Sequence, residues 1–574
     1  MKYRCHGNNQ CSPICLCGYS RTTVALLIYI LISLSNGIYL SHTYRAAPIP
    51  SRLSTSKVSS RCSISPKHRQ FALPGHSQLD GSAENADLLI TTPLFYVNGE
   101  LHIGHAYTLV AADMIKRYNE ISGNKTLLLS GTDEHGTKIH NAAVNSGNTP
   151  RHYIELMRLH YEKVKRAYNV EVDIDVHTAH EEHTSKVKSI FQRLLDSGDL
   201  YEGMHEGYFS PTEDAYYTEF QLVDGKSPNG FEVQKVAEKA FFFRLSRYRD
   251  RLRDLINKDG LIIPEERKNE VSELLNGEIP DVAVTRSNTN WGVPVNVKGF
   301  EGHTVYVWLD ALLGYITDNS VGNNDKRMIM VFGKDILRFI TLFWPALCIA
   351  LGKPPPHRLV CHGWVLHNRE KMSKSKGEMI LALPPPGIPD VSRFVMMSLG
   401  SFGNDFQYDE NTVSNLSDFV KDKFANLVHR VTSLLNQRGI EQLGPDRQEE
   451  SCPLVADLMD RRKVMQHVMD IYRLDKYVQE VNQIALEINN YITVQKIWDI
   501  KCNRRFKRQA TYICQSLLIL SLYVYPIMPD ISSHTLERLR PHINGDAITP
   551  ESGVNILQSL ERIAFKPQHI GPLM

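Results

Sequence analysis

The hydrophobic positions follow two different patterns along the chain. Short apolar runs at 88–92, 127–129 and 328–332 each stop at polar or small residues, which is typical of buried parallel strands. Beyond Asn411 the apolar positions recur every three or four residues, as on one face of a helix: Leu416, Phe419, Val420, Phe424, Leu427, Val431, Leu434 and Leu435. Similar runs cover about 455–495 and 508–540. The sequence therefore predicts an α/β part followed by an α-helical bundle.

The first predicted strand leads into a short string with two histidines. Residues 93–99 form a predicted loop, and His102-Ile-Gly-His105 opens a helix that continues through Tyr118. A strand, a turn and a helix N-terminus in this order are typical of nucleotide-binding α/β folds. His102 and His105 can donate hydrogen bonds to phosphate without adding a full charge, and Gly104 lets the backbone approach a nucleotide closely.

A second string, Lys371-Met-Ser-Lys-Ser375, lies much further along the chain. Lys371 and Lys374 can supply mobile positive charges for the β- and γ-phosphates of ATP. Ser373, Ser375 and Gly377 predict a flexible loop that closes on the transition state. The two strings together indicate chemistry at the α-phosphate of ATP, where catalysis is mainly positioning and electrostatic stabilisation.

Composition indicates a globular protein, with 42% hydrophobic and 22% charged residues. The net charge of +2 hides an asymmetry, because residues 1–79 carry no acidic residue and the rest of the chain is slightly acidic. Binding of a nucleic acid therefore has to rely on local basic patches rather than on the global charge. One such patch is formed by Lys501, Arg504, Arg505, Lys507 and Arg508.

The ten cysteines show no metal-binding or disulfide pattern. Five lie in the first 62 residues, the other five are scattered, and no Cys-x-x-Cys pair occurs. We therefore expect no structural zinc and no disulfide framework.

The amino-terminal segment resembles a targeting leader in two parts. Residues 24–34 form an apolar run preceded by Lys2, Arg4 and Arg21, as in a signal peptide, although a membrane anchor over residues 1–40 is an alternative. Residues 41–86 resemble a transit peptide, being rich in Ser, Arg, Lys and Pro. This arrangement predicts delivery to an apicoplast-like plastid. A mitochondrial address and a tail without an address are the other interpretations.

Several longer strings occur in the order typical of one family. They are Thr91-Thr-Pro-Leu-Phe-Tyr-Val-Asn98, Gly131-Thr-Asp-Glu-His-Gly136, Phe242-Phe-Arg-Leu-Ser246, Val307-Trp-Leu-Asp-Ala311, Gly333-Lys-Asp-Ile336, Trp344-Pro345 and His362-Gly-Trp364. With the histidine and lysine strings, they make the chain resemble the class I methionyl-tRNA synthetases of the bacterial and organellar type. The resemblance covers about residues 87–574.

The resemblance implies a fold and a set of domains. It implies a Rossmann-like parallel-sheet catalytic domain at 87–410, with a connective insertion at about 195–280, followed by an α-helical anticodon-binding domain at 411–574. The second string would form a loop at 371–377. Three consecutive prolines between Leu383 and Gly387 cannot continue a helix, so we expect an irregular connector at 378–410.

The resemblance also implies roles for single residues in amino acid activation. Asp133 would pair with the ammonium group of methionine, and Arg286 would assist formation of the adenylate. A methionine pocket would be lined by Leu94, Tyr96, Trp308, Ala311, Tyr315, Ile336, Phe339 and Ile340. The alternatives are a helix N-cap for Asp133, an exposed surface position for Arg286 and plain core packing for the others. Ile340 departs from the family, which usually has a histidine there, and this predicts weaker rejection of apolar methionine analogues.

In the helical tail, the resemblance implies that Asn426, Arg430 and Trp498 read the anticodon. Asn426 and Arg430 are four residues apart on the helix face opposite Leu427, so both should point outward. Hydrogen bonds to unpaired base edges and stacking on an indole ring are common ways to recognise RNA loops. A core tryptophan and an ordinary solvated helix face are the alternatives.

The implied reaction joins L-methionine and ATP into methionyl-adenylate and then transfers methionine to the 3′ end of tRNA(Met). Mg²⁺ is expected with the ATP, and we expect a monomer that contacts membranes only through its leader. Three other functions fit parts of the sequence: a class I synthetase for another small apolar amino acid, a small-molecule nucleotidyltransferase, and an inactive RNA-binding relative.

Overall fold

The computed structural model describes residues 88–539 and His542, with several gaps. The gaps are 211–214, 218, 220–221, 228–229, 288, 290, 318–326, 368–369, 372–379, 385–388, 442, 444–451 and 540–541. The predicted leader at 1–86 lies outside the described residues, as do Ser373, Lys374, Ser375 and Gly377 of the second string.

The described elements alternate between strands and helices in the first part of the chain. They are β1 (Leu88–Thr91), β2 (Phe95–Tyr96), α1 (Ile103–Ile121), β3 (Thr126–Asp133), α2 (Thr137–Asn145), α3 (Pro150–Ala167), β4 (Ile174–His177), α4 (Glu181–Asp196), β5 (Leu200–Ser210), β6 (Ala215–Tyr217), β7 (Gln234–Phe243), α5 (Arg249–Ile256), β8 (Ile262–Ile263), α6 (Glu265–Asn276), β9 (Val282–Ala283), β10 (Thr285–Arg286), β11 (Thr304–Val305) and α7 (Val307–Thr317).

The second part begins with further strands, and every described element after β16 is a helix. Its elements are β12 (Arg327–Gly333), α8 (Trp344–Ala350), β13 (Arg358–His362), β14 (Val365–His367), β15 (Glu370–Lys371), α9 (Pro389–Ser398), β16 (Phe406–Gln407), α10 (Glu410–Val420), α11 (Asn426–Gln437), α12 (Pro453–Asp470), α13 (Leu474–Gln495), α14 (Asn503–Val524) and α15 (Pro529–Leu539).

A seven-stranded parallel sheet forms the centre of the α/β part. Its strands run in the order β2-β3-β1-β12-β13-β8, and β4 also pairs with β3. Every described pairing in this sheet is parallel, and β1 lies between β3 and β12. The three predicted strands are confirmed. The predicted loop at 93–99 contains the short strand β2, which pairs with the end of β3.

Side chains of the central strands alternate between two apolar layers. Leu88 and Ile90 pack in the layer that contains α1, whereas Leu89 packs in the layer that contains α7. In β3, Leu128 and Leu129 divide in the same way. Because both faces are covered, these strands are apolar without alternation in the sequence, as their pattern predicted.

The helix that carries the histidine string is fixed along its length. The buried carboxylate of Asp113 on α1 accepts a hydrogen bond from Arg117 at 2.7 Å and lies 2.6 Å from Arg393 of α9. Arg393 also donates to the backbone oxygens of Ile527 and Pro526, just beyond α14. Since α1 is tied in this way to the helical tail, its N-terminus holds a defined position at the edge of the sheet.

The predicted connective insertion contains a second, antiparallel sheet. Its four strands run in the order β6-β5-β7-β9, and β5 and β7 pair over ten residues, from Leu200 opposite Phe243 to Phe209 opposite Gln234. The sheet is placed by α4, which precedes it, and by β10, which follows it with Arg286.

The expectation of an irregular connector at 378–410 was wrong for its second half. Helix α9 occupies Pro389–Ser398 and β16 occupies Phe406–Gln407. Proline stops a helix from continuing but fits the first helical turn, where its missing N–H has no partner to lose. The new helix accordingly begins with Pro389, beyond the run of three prolines. Among the described residues, no helix is both long and apolar enough to span a membrane.

One buried carboxylate in this connector predicts how stability depends on pH. Asp390 of α9 is fully buried, and its Oδ2 accepts a hydrogen bond from the backbone N–H of Ile531 at 2.6 Å. Burial raises the pKa of Asp390 from 3.8 to about 6. The contribution of protonated Asp390 to the free energy of unfolding is therefore complete below pH 4 and is lost as the pH rises through 6.

We expect Asp390→Asn to stabilise the protein by about 3 kcal/mol at pH 8, because two pKa units correspond to that free energy and the amide keeps the acceptor for Ile531. The gain should disappear near pH 4. Urea unfolding at both pH values measures it, with Asp460→Asn at an exposed position as the control. A gain that is equal at both pH values would contradict the assignment.

Candidate active site

A cavity of about 360 Å³ opens where the central strands end and α1 begins. In parallel sheets of this kind, ligands bind at the carboxyl ends of the strands. Most residues predicted for the site line this one cavity: Leu94, Tyr96, His102, Gly104, His105, Asp133, Arg286, Trp308, Ala311, Tyr315, Ile336 and Ile340. The fold thus brings together residues that are up to 246 positions apart in the sequence, from Leu94 to Ile340.

The two histidines cap the first turn of α1. The backbone N–H of Gly104 donates to His102 Nδ1 at 3.1 Å, and the backbone N–H of His102 donates to His105 Nδ1 at 3.1 Å. Because a backbone N–H can only donate, both Nδ1 atoms are acceptors and each neutral ring carries its proton on Nε2. The stacked rings, 3.7 Å apart between centroids, therefore present two N–H donors without positive charge.

Gly104 is required by this cap as well as by access to the nucleotide. A Cβ atom at position 104 would lie 3.0 Å from Cε1 and Nδ1 of His102, closer than ordinary contact. Any larger residue would therefore displace the first histidine ring.

The end of β3 places a buried carboxylate beside the donors. Asp133 is 7% exposed and lines the cavity, and its Oδ1 has no hydrogen-bond partner among the described atoms. Burial, followed by the charge of Asp310, raises the pKa of Asp133 well above its usual value. A bound ammonium group would relieve both effects. The residue that caps the next helix, α2, is Gly136, so the N-cap alternative for Asp133 is not observed.

The carboxylate that follows Asp133 in the sequence, Glu134, has partners of its own. Glu134 accepts two hydrogen bonds from Arg158, both at 2.5 Å. Burial opposes its ionisation, but the bonds from Arg158 and His177 hold the pKa of Glu134 below its usual range. The backbone oxygen of Glu134 accepts from the Trp291 indole at 2.6 Å, which fixes one wall of the cavity.

Apolar and aromatic side chains line another part of the cavity. Tyr315 is 2% exposed, donates to Thr92 O at 2.9 Å and accepts from Leu94 N at 3.2 Å, so its hydroxyl is held at the base of the pocket. Trp308 lines the cavity and stacks on Phe339, with ring centroids 4.2 Å apart and planes within 2°. Phe339 therefore supports Trp308 from behind and does not itself line the cavity. Flat aromatic rings and aliphatic side chains suit a thioether.

Ile340 lines the same pocket and is only 1% exposed. It lies in a π-helical turn, Phe339–Phe343, that precedes α8. The aliphatic side chain of Ile340 cannot form a hydrogen bond. It can therefore select between ligands only through the shape and size of the group that packs against it.

Arg286 reaches the cavity from β10. Its guanidinium donates to the backbone oxygens of Ala283 and Thr285, and it lies over the ring of Tyr306, 4.0 Å from the centroid. The side chain is half-buried and lines the cavity. The alternative of an ordinary surface arginine is therefore wrong.

Several lining residues were not predicted as site residues. Asp335 follows the end of β12 and His362 is the last residue of β13, positions that indicate a ligand-facing role in a parallel sheet. His362 Nε2 lies 2.8 Å from the hydroxyl of Thr108 on α1, and its Nδ1 bonds to Gly363 O. Burial lowers the pKa of His362, which favours the neutral ring. The remaining unpredicted polar residues include Thr137, Lys138, Thr289 and Trp364.

The second string is described only in part. Lys371 ends β15, which pairs with β14 directly after β13. The strand register places the start of the string next to the edge where the cavity opens. The other residues of the string stay sequence predictions.

The three residues predicted to read the anticodon all lie at the surface. Asn426 and Arg430 are exposed on α11, whereas Leu427 and Val431 are buried, as the helical spacing predicted. Trp498 is 46% exposed, so the alternative of a core tryptophan is wrong. Arg438, the C-cap residue of α11, donates to the backbone oxygens of Trp498 and Ile500, which ties the tryptophan turn to the end of the same helix.

An exposed basic surface begins directly after this turn. Lys501, Arg504, Arg505, Lys507 and Arg508 are all exposed around the start of α14. Their neighbour Phe506 is buried and packs under Arg438. An indole beside a basic stretch is suited to an unpaired base and its phosphates.

The fold and the cavity together define a class I aminoacyl-tRNA synthetase. The family model described as tRNA synthetases class I (M) matches residues 88–238 and 229–432. The methionine–tRNA ligase of Halalkalibacterium halodurans is 32% identical over 492 residues, covering 80% of this chain and 74% of that protein. The methionine–tRNA ligase of Rickettsia typhi is 31% identical over 500 residues, covering 82% and 97%. The chain belongs to the methionyl-tRNA synthetase family.

A solved structure agrees with this assignment. The methionyl-tRNA synthetase of Mycobacterium tuberculosis, in complex with methionyl-adenylate, superposes with a TM-score of 0.72 and 26% identity. The superposition covers 79% of this chain and 93% of that one. Within the described ranges, no three His, Cys, Asp or Glu side chains are grouped so that they could hold a metal ion.

Proposed function

We propose that this chain joins methionine to tRNA with ATP and that the cavity described above carries out the first, activating step. The proposal rests mainly on Asp133, a buried carboxylate with one open oxygen between an apolar pocket and two phosphate donors. Asp133 pairs with the ammonium group of the amino acid. The pocket at Tyr315 and Trp308 takes the thioether side chain. This leaves the substrate carboxylate directed towards the nucleotide.

The chain then stabilises charge that develops on phosphate. The Nε2–H donors of His102 and His105 bond to phosphate oxygens, and because the first turn of α1 already orients both rings, they need no reorganisation during the reaction. The helix N-terminus itself favours negative charge. Arg286 and Lys374 add positive charge as pyrophosphate leaves. We place ATP in this reaction as its Mg²⁺ complex, with the ion bound mainly to phosphate oxygens as part of the substrate.

A second part of the proposal concerns tRNA. Trp498 stacks on an anticodon base, while Asn426 and Arg430 donate to base edges and the basic surface at 501–508 contacts the backbone of the loop. The exposure of all three residues supports this. The tRNA partner that suits the methionine pocket is tRNA(Met).

Changing Asp133 to Asn tests the central assignment. The amide keeps the shape but cannot pair with an ammonium charge, so methionine KM should rise about 10- to 100-fold, the equivalent of a lost charge-assisted hydrogen bond of about 1.5–3 kcal/mol. The KM for ATP should stay within about twofold, since the phosphates bind elsewhere in the cavity. Methionine-dependent ATP–pyrophosphate exchange gives both values. An unchanged methionine KM would remove Asp133 from the ammonium site.

We also propose that the protein works in a plastid bounded by extra membranes. The supporting observation is the apolar run at 24–34 followed by the acid-free, basic stretch at 41–79. A fluorescent reporter fused to residues 1–86 should reach the plastid, and a reporter fused to 41–86 should fail to enter the secretory route. Delivery of the longer fusion to mitochondria would contradict the proposal.

A further inference from the structure

Several described helices end at a residue with a left-handed backbone, one or two positions beyond the last helical residue. Most of these residues are glycines, which have no Cβ atom and adopt the conformation without strain: Gly123, Gly147, Gly198, Gly352 and Gly439. After α3, α12 and α13 the residue is Asn169, Tyr472 and Lys496, with φ angles of 47°, 53° and 43°. A side chain lowers stability in this conformation, so each of the three should have a compensating role.

Asn169 and Tyr472 have such roles inside the protein. The side-chain amide of Asn169 donates to Asp530 Oδ1 at 2.9 Å, and so joins the end of α3 to the start of α15. Tyr472 is half-buried and packs against the apolar core. A glycine at either position would lose these contacts.

Lys496 has no comparable role within the described residues. It ends α13 with φ 43° and ψ 52°, and its backbone N–H donates to Thr493 O at 3.3 Å. Its backbone oxygen accepts from the N–H of Asp499 at 2.8 Å. A glycine could form both bonds, because they involve only the backbone. The side chain is exposed, and its ammonium group forms no hydrogen bond or ion pair with another described residue.

The surroundings of Lys496 are suited to a nucleotide. The next turn carries the exposed Trp498, and Val494 in the last turn of α13 is 65% exposed. Exposed apolar side chains therefore lie on both sides of Lys496 in the sequence. From 488 to 529 the chain carries six basic residues and one acidic residue, Asp499. Lys496 is the one basic residue of the six that precedes Trp498, so positive charge flanks the indole on both sides in the sequence.

We propose that Lys496 binds a phosphate of the tRNA anticodon loop, next to the base that stacks on Trp498. The inference rests on the proposed role of Trp498. Each base of a single strand lies between two backbone phosphates, so proteins that stack a base commonly place positive charge near the aromatic ring. A lysine ammonium on its flexible stem can reach such a phosphate from the same turn. RNA binding therefore explains why a lysine occupies a position that suits glycine.

The strain at Lys496 can be measured apart from its charge. A cation at the C-terminus of α13 also interacts favourably with the helix dipole, but salt screens that interaction and does not relieve backbone strain. In thermal unfolding at about 0.5 M KCl, we expect Lys496→Gly to raise Tm by about 2 °C. Lys496→Asn should lose no stability, because asparagine tolerates the left-handed conformation. A lower Tm in both variants would show that the lysine side chain stabilises the protein itself and would overturn the proposal.

Aminoacylation of a tRNA(Met) transcript at several KCl concentrations measures the phosphate contact. At about 0.1 M KCl, Lys496→Asn should raise the KM for tRNA about threefold to tenfold, between the usual effects of an exposed ion pair and a charge-assisted hydrogen bond. The plot of log kcat/KM for tRNA against log KCl concentration should become shallower by about 0.7, the value for one phosphate contact to a single strand. Lys496→Arg keeps the charge, so its KM should stay within about twofold of wild type and its slope should be unchanged.

Lys476→Ala is the matched control, because it removes an exposed lysine near the other end of α13. Its salt dependence should equal that of wild type. An unchanged slope in Lys496→Asn would overturn the proposal, as would an equal change of slope in Lys496→Arg or Lys476→Ala.

Trp498→Ala, measured in the same series, distinguishes two kinds of failure. If that change leaves kcat/KM for tRNA at the wild-type value, the anticodon surface itself is misassigned. If it lowers kcat/KM while Lys496→Asn matches wild type in both KM and slope, only the phosphate contact of Lys496 is rejected.

Discussion

Replacing Lys374 with Ala should slow methionyl-adenylate formation by about 100-fold or more, the largest effect that we expect from one substitution. In the proposed reaction this side chain brings a full positive charge to the leaving pyrophosphate, and loss of one group that stabilises the transition state in this way typically lowers kcat by about 10²–10³. Pre-steady-state measurement of adenylate formation gives the rate. Methionine binding, measured by calorimetry, should be nearly unchanged because the proposed methionine site, at Asp133, Tyr315 and Trp308, does not include Lys374.

The control for this experiment is Lys476→Ala, an exposed lysine on α13 whose ammonium group bonds only to Gln479 among the described contacts. It should leave every rate unchanged. Lys374→Arg should recover part of the lost rate, since it retains the charge with a different shape. Adenylate formation at the wild-type rate in Lys374→Ala would show that the second string has no catalytic role.

Trp498→Ala should lower aminoacylation of tRNA about 10- to 100-fold while leaving ATP–pyrophosphate exchange near the wild-type rate. The loss of one base stack is worth about 1–3 kcal/mol. The two activities should separate because the adenylate forms at the sheet edge, whereas Trp498 lies on the surface of the helical tail. Aminoacylation with subsaturating tRNA measures the first effect and exchange without tRNA measures the second.

Ile471→Ala provides a matched control, because it removes a similarly exposed apolar side chain, 44% against 46%, from the turn between α12 and α13. It should change neither activity. A parallel fall of both activities in Trp498→Ala would indicate a folding defect, and no change in aminoacylation would mean that another residue reads the anticodon.

The sequence predicted those parts of the site that are local along the chain. The strand at 88–92, the loop and the helix opened by His102 follow from a short apolar run, turn residues and a helical repeat, so their order predicted a nucleotide-binding edge. The apolar run at 127–129 predicted a second buried strand in the same way, and Asp133 lies at its carboxyl end. The outward direction of Asn426 and Arg430 followed from the spacing of their apolar neighbours.

The remaining features depend on contacts between distant residues. His135 and Asp310 are 175 positions apart, and His183 and Asp310 are 127 apart, so no local pattern could pair them. The supporting position of Phe339 behind Trp308 likewise depends on how α7 meets the π-helical turn. Helix α9 was missed because the three prolines before it were interpreted as the end of regular structure, and Pro389 was not considered as the first residue of a new helix.

ATP–pyrophosphate exchange with a panel of single amino acids tests the central claim most directly. The panel should contain methionine, leucine, isoleucine, valine, cysteine and norleucine, each assayed for kcat/KM. The account predicts that methionine gives the highest value and that norleucine ranks second, because Ile340 makes the end of the pocket apolar. Exchange that is fastest with another natural amino acid, or that is absent with all six, would contradict the account.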